Sequence, residues 1–260
     1  YDGYSWDGIS RLFNPVSVMN LFDKRAFRNY WFSTGTPTFL LRYIKKEDIL
    51  PYHIEKNVIT FNSLEKYDLD NLTILPLLFQ TGYLTIKHKD MLTGELTLGY
   101  PNREVAQSFS SHFLSEHTTG KFDMTDSLLN KIRHCFMDND IEEFIENLNS
   151  LFSKIPYTIV EKTEKYFHSL FYLVIRIIGF IIDAEVLTIK GRIDAVVKTE
   201  NHIFIIEFKI NQKAEDAIKQ IKERNYADKY RDDKRQIKLM GINFDTETKE
   251  VSDYLVETNE

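Results

Sequence analysis

Cysteine is nearly missing from this chain: Cys135 stands alone, so no intramolecular disulfide can form, and the reducing cytoplasm is the expected location. Proline and glycine are scarce as well, with 6 and 10 residues in 260, which argues against long disordered or low-complexity tracts. No secretory signal opens the chain. The most apolar run, Tyr166 to Ile182, contains His168 and Arg176 and reads as a buried helix rather than a membrane span. There is no excess of positive charge. The formal net charge is −6, so any contact with nucleic acid has to come from a local basic patch. A G-x-x-x-x-G-K-S/T phosphate loop is also lacking. Gly120-Lys121-Phe122 has neither the upstream glycine nor the hydroxyl residue, so ATP binding by these 260 residues is not expected. Zinc or thiol chemistry has little support: Cys135 beside His134 has no companion ligands, and His112 and His117 are five apart on a predicted helix.

What is present is apolar bulk. With 43% hydrophobic residues, 19 Phe and 14 Tyr, the chain can build a real core, and its length fits two domains. It opens at Tyr1 rather than Met, within what reads as an ordered segment, so a piece of a longer protein is expected. Asn14-Pro15 and Thr36-Pro37 place a capping residue before proline and predict helices near 15–23 and 37–45. Between them, Tyr30-Trp31-Phe32 reads as core packing. A helix is predicted from Leu72 to Phe79, strands at Tyr83–Lys87 and Glu95–Gly99 around an Asp90–Gly94 turn, and a helix from Asn102 to about His117. Helix, hairpin and helix in this order suggest a winged-helix-like unit, read as structural or docking in use before DNA reading. Two amphipathic helices fill 126–154, the second with Ile141, Phe144, Ile145, Leu148 and Leu151 at helical spacing. Beyond Pro156 the pattern becomes a helix over about 158–180, a strand near Glu185–Thr188, two further strands, a helix at 212–225, and a strand from Ile237 to Asn243. That order predicts an α/β core with helices on both sheet faces.

The two middle strands carry the chemistry. Gly191-Arg192-Ile193-Asp194-Ala195-Val196-Val197 and Ile203-Phe204-Ile205-Ile206-Glu207-Phe208-Lys209 flank a turn at Glu200-Asn201. A symmetric closure with Thr199 facing His202 sets Asp194 opposite Glu207 and Arg192 opposite Lys209. All four then emerge on one face, which Val196, Ile203 and Ile205 share, while Ile193, Ala195, Ile206 and Phe208 line the other. Opposed strand residues have Cβ atoms roughly 4.5–5.5 Å apart, so the two carboxylates repel unless a cation or a proton lies between them. Two accounts fit. One is a cross-strand ion-pair ladder, Arg192 with Glu207 and Asp194 with Lys209. The other is a site for a hard divalent cation, at which Lys209 steadies developing negative charge.

The ordered set Gly-Arg-Ile-Asp at 191–194 and Ile-Glu-Phe-Lys at 206–209 resembles the signature of the PD-(D/E)XK nuclease superfamily, without the formal motif's proline. The resemblance implies a restriction-endonuclease-like α-β-β-β-α-β core at 157–260, with Asp194 and Glu207 binding Mg²⁺ or Mn²⁺ and Lys209 assisting catalysis. It further implies that Glu164, on the preceding helix, is an outer or second metal ligand, and that Gln220, on the following helix, serves the site. Lys213, Gln220 and Arg224 fall roughly on one stripe of that helix. His168, four residues after Glu164, is either a proton carrier near the site or a core histidine. The segment also resembles the nuclease-like domain appended to predicted AAA-type ATPases of prokaryotes. Tyr1-Asp2-Gly3-Tyr4, Asn14 to Val18 and Tyr30 to Pro37 are similar to the distal part of that ATPase region. The implied organisation is 1–125 as a lid or winged-helix-like part, 126–156 as a helical connector and 157–260 as the nuclease-like domain. The expected activity is metal-dependent hydrolysis of nucleic acid, DNA before RNA, with the upstream ATPase portion as a partner and no membrane. The alternative is a catalytically silent binding or regulatory module on the same fold.

Overall fold

The computed structural model describes residues 1–31, 38–46, 49, 51–55, 57–65, 73–117, 126–155 and 163–259. The chain divides into two units, Tyr1–Glu116 and His117–Glu260. Phe32 to Pro37, Gly120-Lys121-Phe122, Pro156 and the predicted helix start near 158 lie outside the described residues.

In the first unit, α1 (Pro15–Lys24) begins as the sequence implies: the Asn14 side chain accepts from the Ser17 N–H at 2.9 Å, with Pro15 at the first helical position. Helices α2 (Thr38–Lys46), α3 (Phe61–Glu65), α4 (Ile74–Gln80) and α5 (Arg103–His117) accompany a three-stranded antiparallel sheet. Its strands are β1 (Val58–Thr60), β2 (Thr85–Lys89) and β3 (Glu95–Gly99), in the order β1-β3-β2. The β2–β3 turn is built by Asp90, whose carboxylate accepts from the N–H groups of Leu92 and Thr93, and by Gly94 at φ +73°. Strand β1 escapes sequence reading because three residues carry too little alternation. Glu104 is buried in α5, and its Oε1 accepts from the backbone N–H groups of Tyr30 at 2.5 Å and Trp31 at 2.9 Å. A carboxylate thus fixes the Tyr30-Trp31 segment, and Trp31 packs against Tyr4 and Tyr83.

In the second unit, α6 (Asp126–Met137), α7 (Ile141–Phe152) and α8 (Glu164–Ile177) precede five strands. These are β4 (Ile181–Thr188), β5 (Gly191–Lys198), β6 (His202–Ile210), β7 (Gln236–Asp245) and β8 (Glu250–Thr258), hydrogen-bonded in sequence order. All neighbours are antiparallel except β6 and β7, whose parallel pairing needs a crossover; α9 (Ala214–Glu223) provides it. Aromatic side chains seat the helices on one face: Phe136 of α6 meets Phe204, Phe171 of α8 meets Phe208, and Phe167 meets Phe244, with ring centroids 4.6–5.2 Å apart. Ile218 and Ile221 of α9 cluster with Val196, Ile203, Ile205 and Leu239 on the other.

The two helices over 126–152 belong to this unit and pack against its sheet and α8. Strand β8 is not announced by the sequence, since its Ser252, Asp253 and Glu257 break the apolar alternation that marks a strand; as an edge it needs only one partner.

Gly241 in β7 lies beside Glu207 in the parallel register. A Cβ there would stand 2.3 Å from the Ala214 carbonyl oxygen, so this glycine lets the start of α9 sit directly on the sheet. Gly241→Val is expected to cost about 3 kcal/mol through overpacking, read as a lower urea midpoint. An unchanged midpoint would contradict this packing account.

Candidate metal-dependent active site

Strand alternation along β6 sends Phe204, Ile206 and Phe208 toward α6 and α8, and Ile203, Ile205, Glu207 and Lys209 toward α9. The β5–β6 ladder pairs Ala195 with Ile206 through Lys198 with Ile203, the symmetric register. It stops there. At the next position Asp194 faces Glu207 without a ladder bond, and the Asp194 Oδ2 accepts from the Phe208 N–H at 2.8 Å. A side chain therefore does the work of a main-chain carbonyl, and the strands part where the carboxylates sit.

The same break corrects two expectations. Arg192 pairs with Glu185 of β4 at 3.3 Å rather than with Glu207, and it acts on Asp194 only through its charge, which opposes the rise in that pKa. Ile193 lies in the α9-side cluster with Val196 rather than on the opposite face. The cause is an irregularity shared by β4 and β5: Glu185 is left-handed at φ +50°, and no pairing joins it to Asp194 although the residues on either side do pair. The proposed ladder of Arg192 with Glu207 is excluded by this geometry.

Gln220 of α9 completes the group. The Lys209 Nζ donates to its Oε1 at 2.8 Å and lies 3.7 Å from the Glu207 Oε1, while the Gln220 Nε2 donates to that same Glu207 oxygen. One amide thus bridges the lysine and the carboxylate. Glu207 is buried, and its other oxygen, Oε2, has no hydrogen-bond partner. Glu164 opens α8, whose cap is Thr163; the Thr163 hydroxyl accepts from the Tyr166 N–H at 3.3 Å. Glu164 is exposed, yet its charge acts on both site carboxylates. Its neighbour one turn on, His168, is buried with its ring 5.0 Å from that of Phe208, which places it in the core. Lys213 is the residue before α9, not part of its face.

Burial is the main force raising the pKa of both carboxylates. For Asp194, the Phe208 hydrogen bond opposes it and the Glu164 charge adds to it. For Glu207, the Asp194 charge adds to burial and the Lys209 charge opposes it. The pair therefore favours uptake of a positive charge, whether proton or metal. Among the described residues no group of three His, Cys, Asp or Glu side chains is close enough to hold an ion. Even so, the donor set fits a hard divalent cation. The Asp194 carboxylate is near enough for its charge to act on Glu207, one buried Glu207 oxygen lacks a partner, and the environment penalises uncompensated negative charge.

One supporting residue was missed by sequence reading. Asn243 of β7 is buried beside Lys209 in the register; its Oδ1 accepts from the Gln212 N–H at 2.9 Å and its Nδ2 donates to the Ser252 hydroxyl. It fixes the turn from β6 into α9. An asparagine inside an apolar strand was the available signal.

A mixed sheet flanked by helices, with an aspartate where two strands part and Glu-x-Lys on the next strand, defines a class. Residues 162–254 match the family described as the PD-(D/E)XK nuclease superfamily, and this segment is a domain of that superfamily. Over 99% of its length the chain is 30% identical to an uncharacterized protein in the vnfD 5′ region of Azotobacter chroococcum mcd 1. It spans 51% of that relative, about half its length. No solved structure matches the chain.

Proposed function

We propose that this chain carries a divalent-metal-dependent nuclease site hydrolysing nucleic-acid phosphodiester bonds. The observation that carries the reading is the buried Glu207, with one oxygen unpartnered, facing Asp194 and held by Lys209 through Gln220. Asp194 and Glu207 would hold Mg²⁺ or Mn²⁺, with Glu164 as an outer or second ligand. The bound ion would supply Lewis-acid polarisation of a phosphoryl oxygen. Lys209 places a fixed ammonium where negative charge grows on the phosphoryl group, in a site dry enough for that charge to count. Gln220 is a positioning residue that orients Lys209 and Glu207 together. Glu207, biased toward protonation by burial, can take up a proton as the ion leaves.

The superfamily match supports nucleic acid as substrate, with DNA placed before RNA. In the first unit, strands β1-β3-β2 and the helices around them support a winged-helix-like docking part. The relative's greater length supports an additional portion, for which the AAA-type ATPase reading is retained as a proposal.

The test is cleavage of mixed DNA and RNA with Mg²⁺ or Mn²⁺, comparing the chain with Asp194→Ala. Cleavage that disappears in the variant supports the reading; equal behaviour of the two ends it. The alternative is a silent regulatory module, favoured by the lack of a three-ligand cluster among the described residues. It predicts no Mn²⁺ heat in calorimetric titration.

A further inference from the structure

The tip of the β4–β5 hairpin is built unlike an ordinary turn. Ile189 is fully exposed and Leu187 largely so, in a loop whose backbone is held from behind by three donors. The Tyr226 hydroxyl donates to the Arg192 carbonyl at 2.7 Å, the Lys229 Nζ to the Leu187 carbonyl at 2.9 Å, and the Arg224 Nη1 to the Lys190 carbonyl at 3.4 Å. Gly191, at φ +152°, makes room: a Cβ there would stand 2.3 Å from the Arg224 Nη1. The loop is thus a rigid apolar projection, not a loose turn.

Charge surrounds it. Segments 187–192 and 224–229 hold Lys190, Arg192, Arg224 and Lys229 against one acid, Asp228, in a chain whose net charge is −6. Asp228 is engaged by Arg231 at 2.7 Å. Arg224 and Lys229 meet neutral carbonyls and Lys190 lies at the side-chain amide of Asn225, so among the described residues no carboxylate compensates these three. Between the tip and the end of α9 lies a groove of about 590 Å³, whose lining includes Leu187, Ile189, Lys190, Arg224 and Lys229 together with Asp228, the acid engaged by Arg231. Its position is set by the helix. Gln220 bridges Glu207 and Lys209, and Arg224, the residue that caps the end of α9, lies four residues on, about one turn away. On the strand side, Asp194 is three residues, roughly 10 Å, from Gly191.

We infer that this groove holds a nucleotide of a single-stranded or locally unpaired nucleic-acid substrate adjacent to the cleavage site. Its base lies against Leu187 and Ile189, and its phosphates lie against Lys190, Arg224 and Lys229. The inference rests on the nuclease reading of the Asp194–Glu207 site. Apolar side chains that enter a base step and flanking cations that neutralise phosphates are complementary demands of one ligand. A protein partner without acidic side chains would satisfy the apolar tip but leave the cations without a role.

The experiment uses the full chain with Asp194→Asn, which stops turnover, and fluorescein-labelled single-stranded DNA and RNA followed by anisotropy. Leu187→Ser with Ile189→Ser is expected to weaken binding about tenfold at an unchanged melting temperature, both positions being exposed. Lys190→Gln is expected to lower the slope of log affinity against log salt by about one. In a second variant, Ile189→Trp, tryptophan emission should be quenched saturably as oligonucleotide is added. Parental affinity in the serine variant, no quenching, or no oligonucleotide binding at all overturns the groove; in the first two cases the tip is left to a protein partner. A parallel cleavage assay with Asp194 intact separates the two claims. Cleavage with normal binding in the tip variants refutes the groove alone. Tip-dependent binding without any cleavage keeps the groove and refutes the catalytic reading.

Discussion

Metal-free protein is expected to lose stability as the pH rises from about 4.3, the ordinary glutamate value, through neutrality, and Glu207→Gln to lose most of that dependence. In the folded state burial and the Asp194 charge raise the Glu207 pKa above its unfolded value. The folded state then holds a proton that the unfolded state has released. The contribution is fully present below the unfolded pKa and is lost as the pH climbs through the folded one. The magnitude is on the order of a few kcal/mol, since each tenfold gain in proton affinity on folding is worth about 1.4 kcal/mol. Gln at this position keeps an oxygen to accept from Gln220 and never ionises, so the variant should be the more stable chain at pH 8. A divalent cation should stabilise the parent by about 2.7 kcal/mol at a hundredfold excess over its Kd, more at pH 8 than at pH 5, and leave Glu207→Gln little changed. Thermal melts at pH 5 and 8, with EDTA and with Mn²⁺, decide this. A parent whose melting temperature is flat across that range, or a variant that responds to Mn²⁺ as the parent does, would contradict it.

Lys209→Ala is expected to lower kcat by about 10²–10³, the usual effect of removing one fixed donor from a developing negative charge. Arginine should not rescue it, because its larger planar guanidinium cannot occupy the place of a compact ammonium held 2.8 Å from the Gln220 Oε1. Gln220→Ala should cost less, since Lys209 keeps its ion pair with Glu207. The pH profile adds a readout that a purely structural role would not move. The Lys209 charge holds the Glu207 pKa down, so in Lys209→Ala the acid limb should shift to higher pH. A kcat within threefold of the parent, with an unmoved limb, would remove Lys209 from the catalytic account.

Much of this geometry was legible in the sequence because it is local. The symmetric hairpin register follows from the turn at Glu200-Asn201 and the apolar run of β6, and it is observed from Lys198 with Ile203 to Ala195 with Ile206, one step short of Asp194 and Glu207. Helix α9 could be placed, and Gln220 with it, because Ala214, Ala217, Ile218 and Ile221 repeat at helical spacing. What failed was non-local. Strict alternation assumes an unbroken ladder, and nothing in Glu185 or Asp194 announces that both leave it, so alternation alone puts Arg192 and Ile193 on the wrong faces. Asn243 acts through a partner 31 residues away, and Gly241 acts across the α9 seat, which composition does not encode. Strand β8 is half polar because Ser252 accepts from Asn243 of β7, Asp253 accepts from the Ala214 N–H at the start of α9, and Glu257 pairs with Lys222 of α9, which removes the pattern by which strands are recognised.

The left-handed Glu185 has a bearing on how copies of this chain coexist. Strand β4 is an outer strand of the five, so one row of its backbone N–H and C=O groups has no strand partner among the described residues. A flat row of that kind is a template for adding another chain. The interruption at Glu185, with the charges of Asp183 and Glu185 beside it, breaks the row into short stretches that a straight incoming strand cannot follow. The irregularity that separates Arg192 from the carboxylates therefore also guards the sheet margin against self-association.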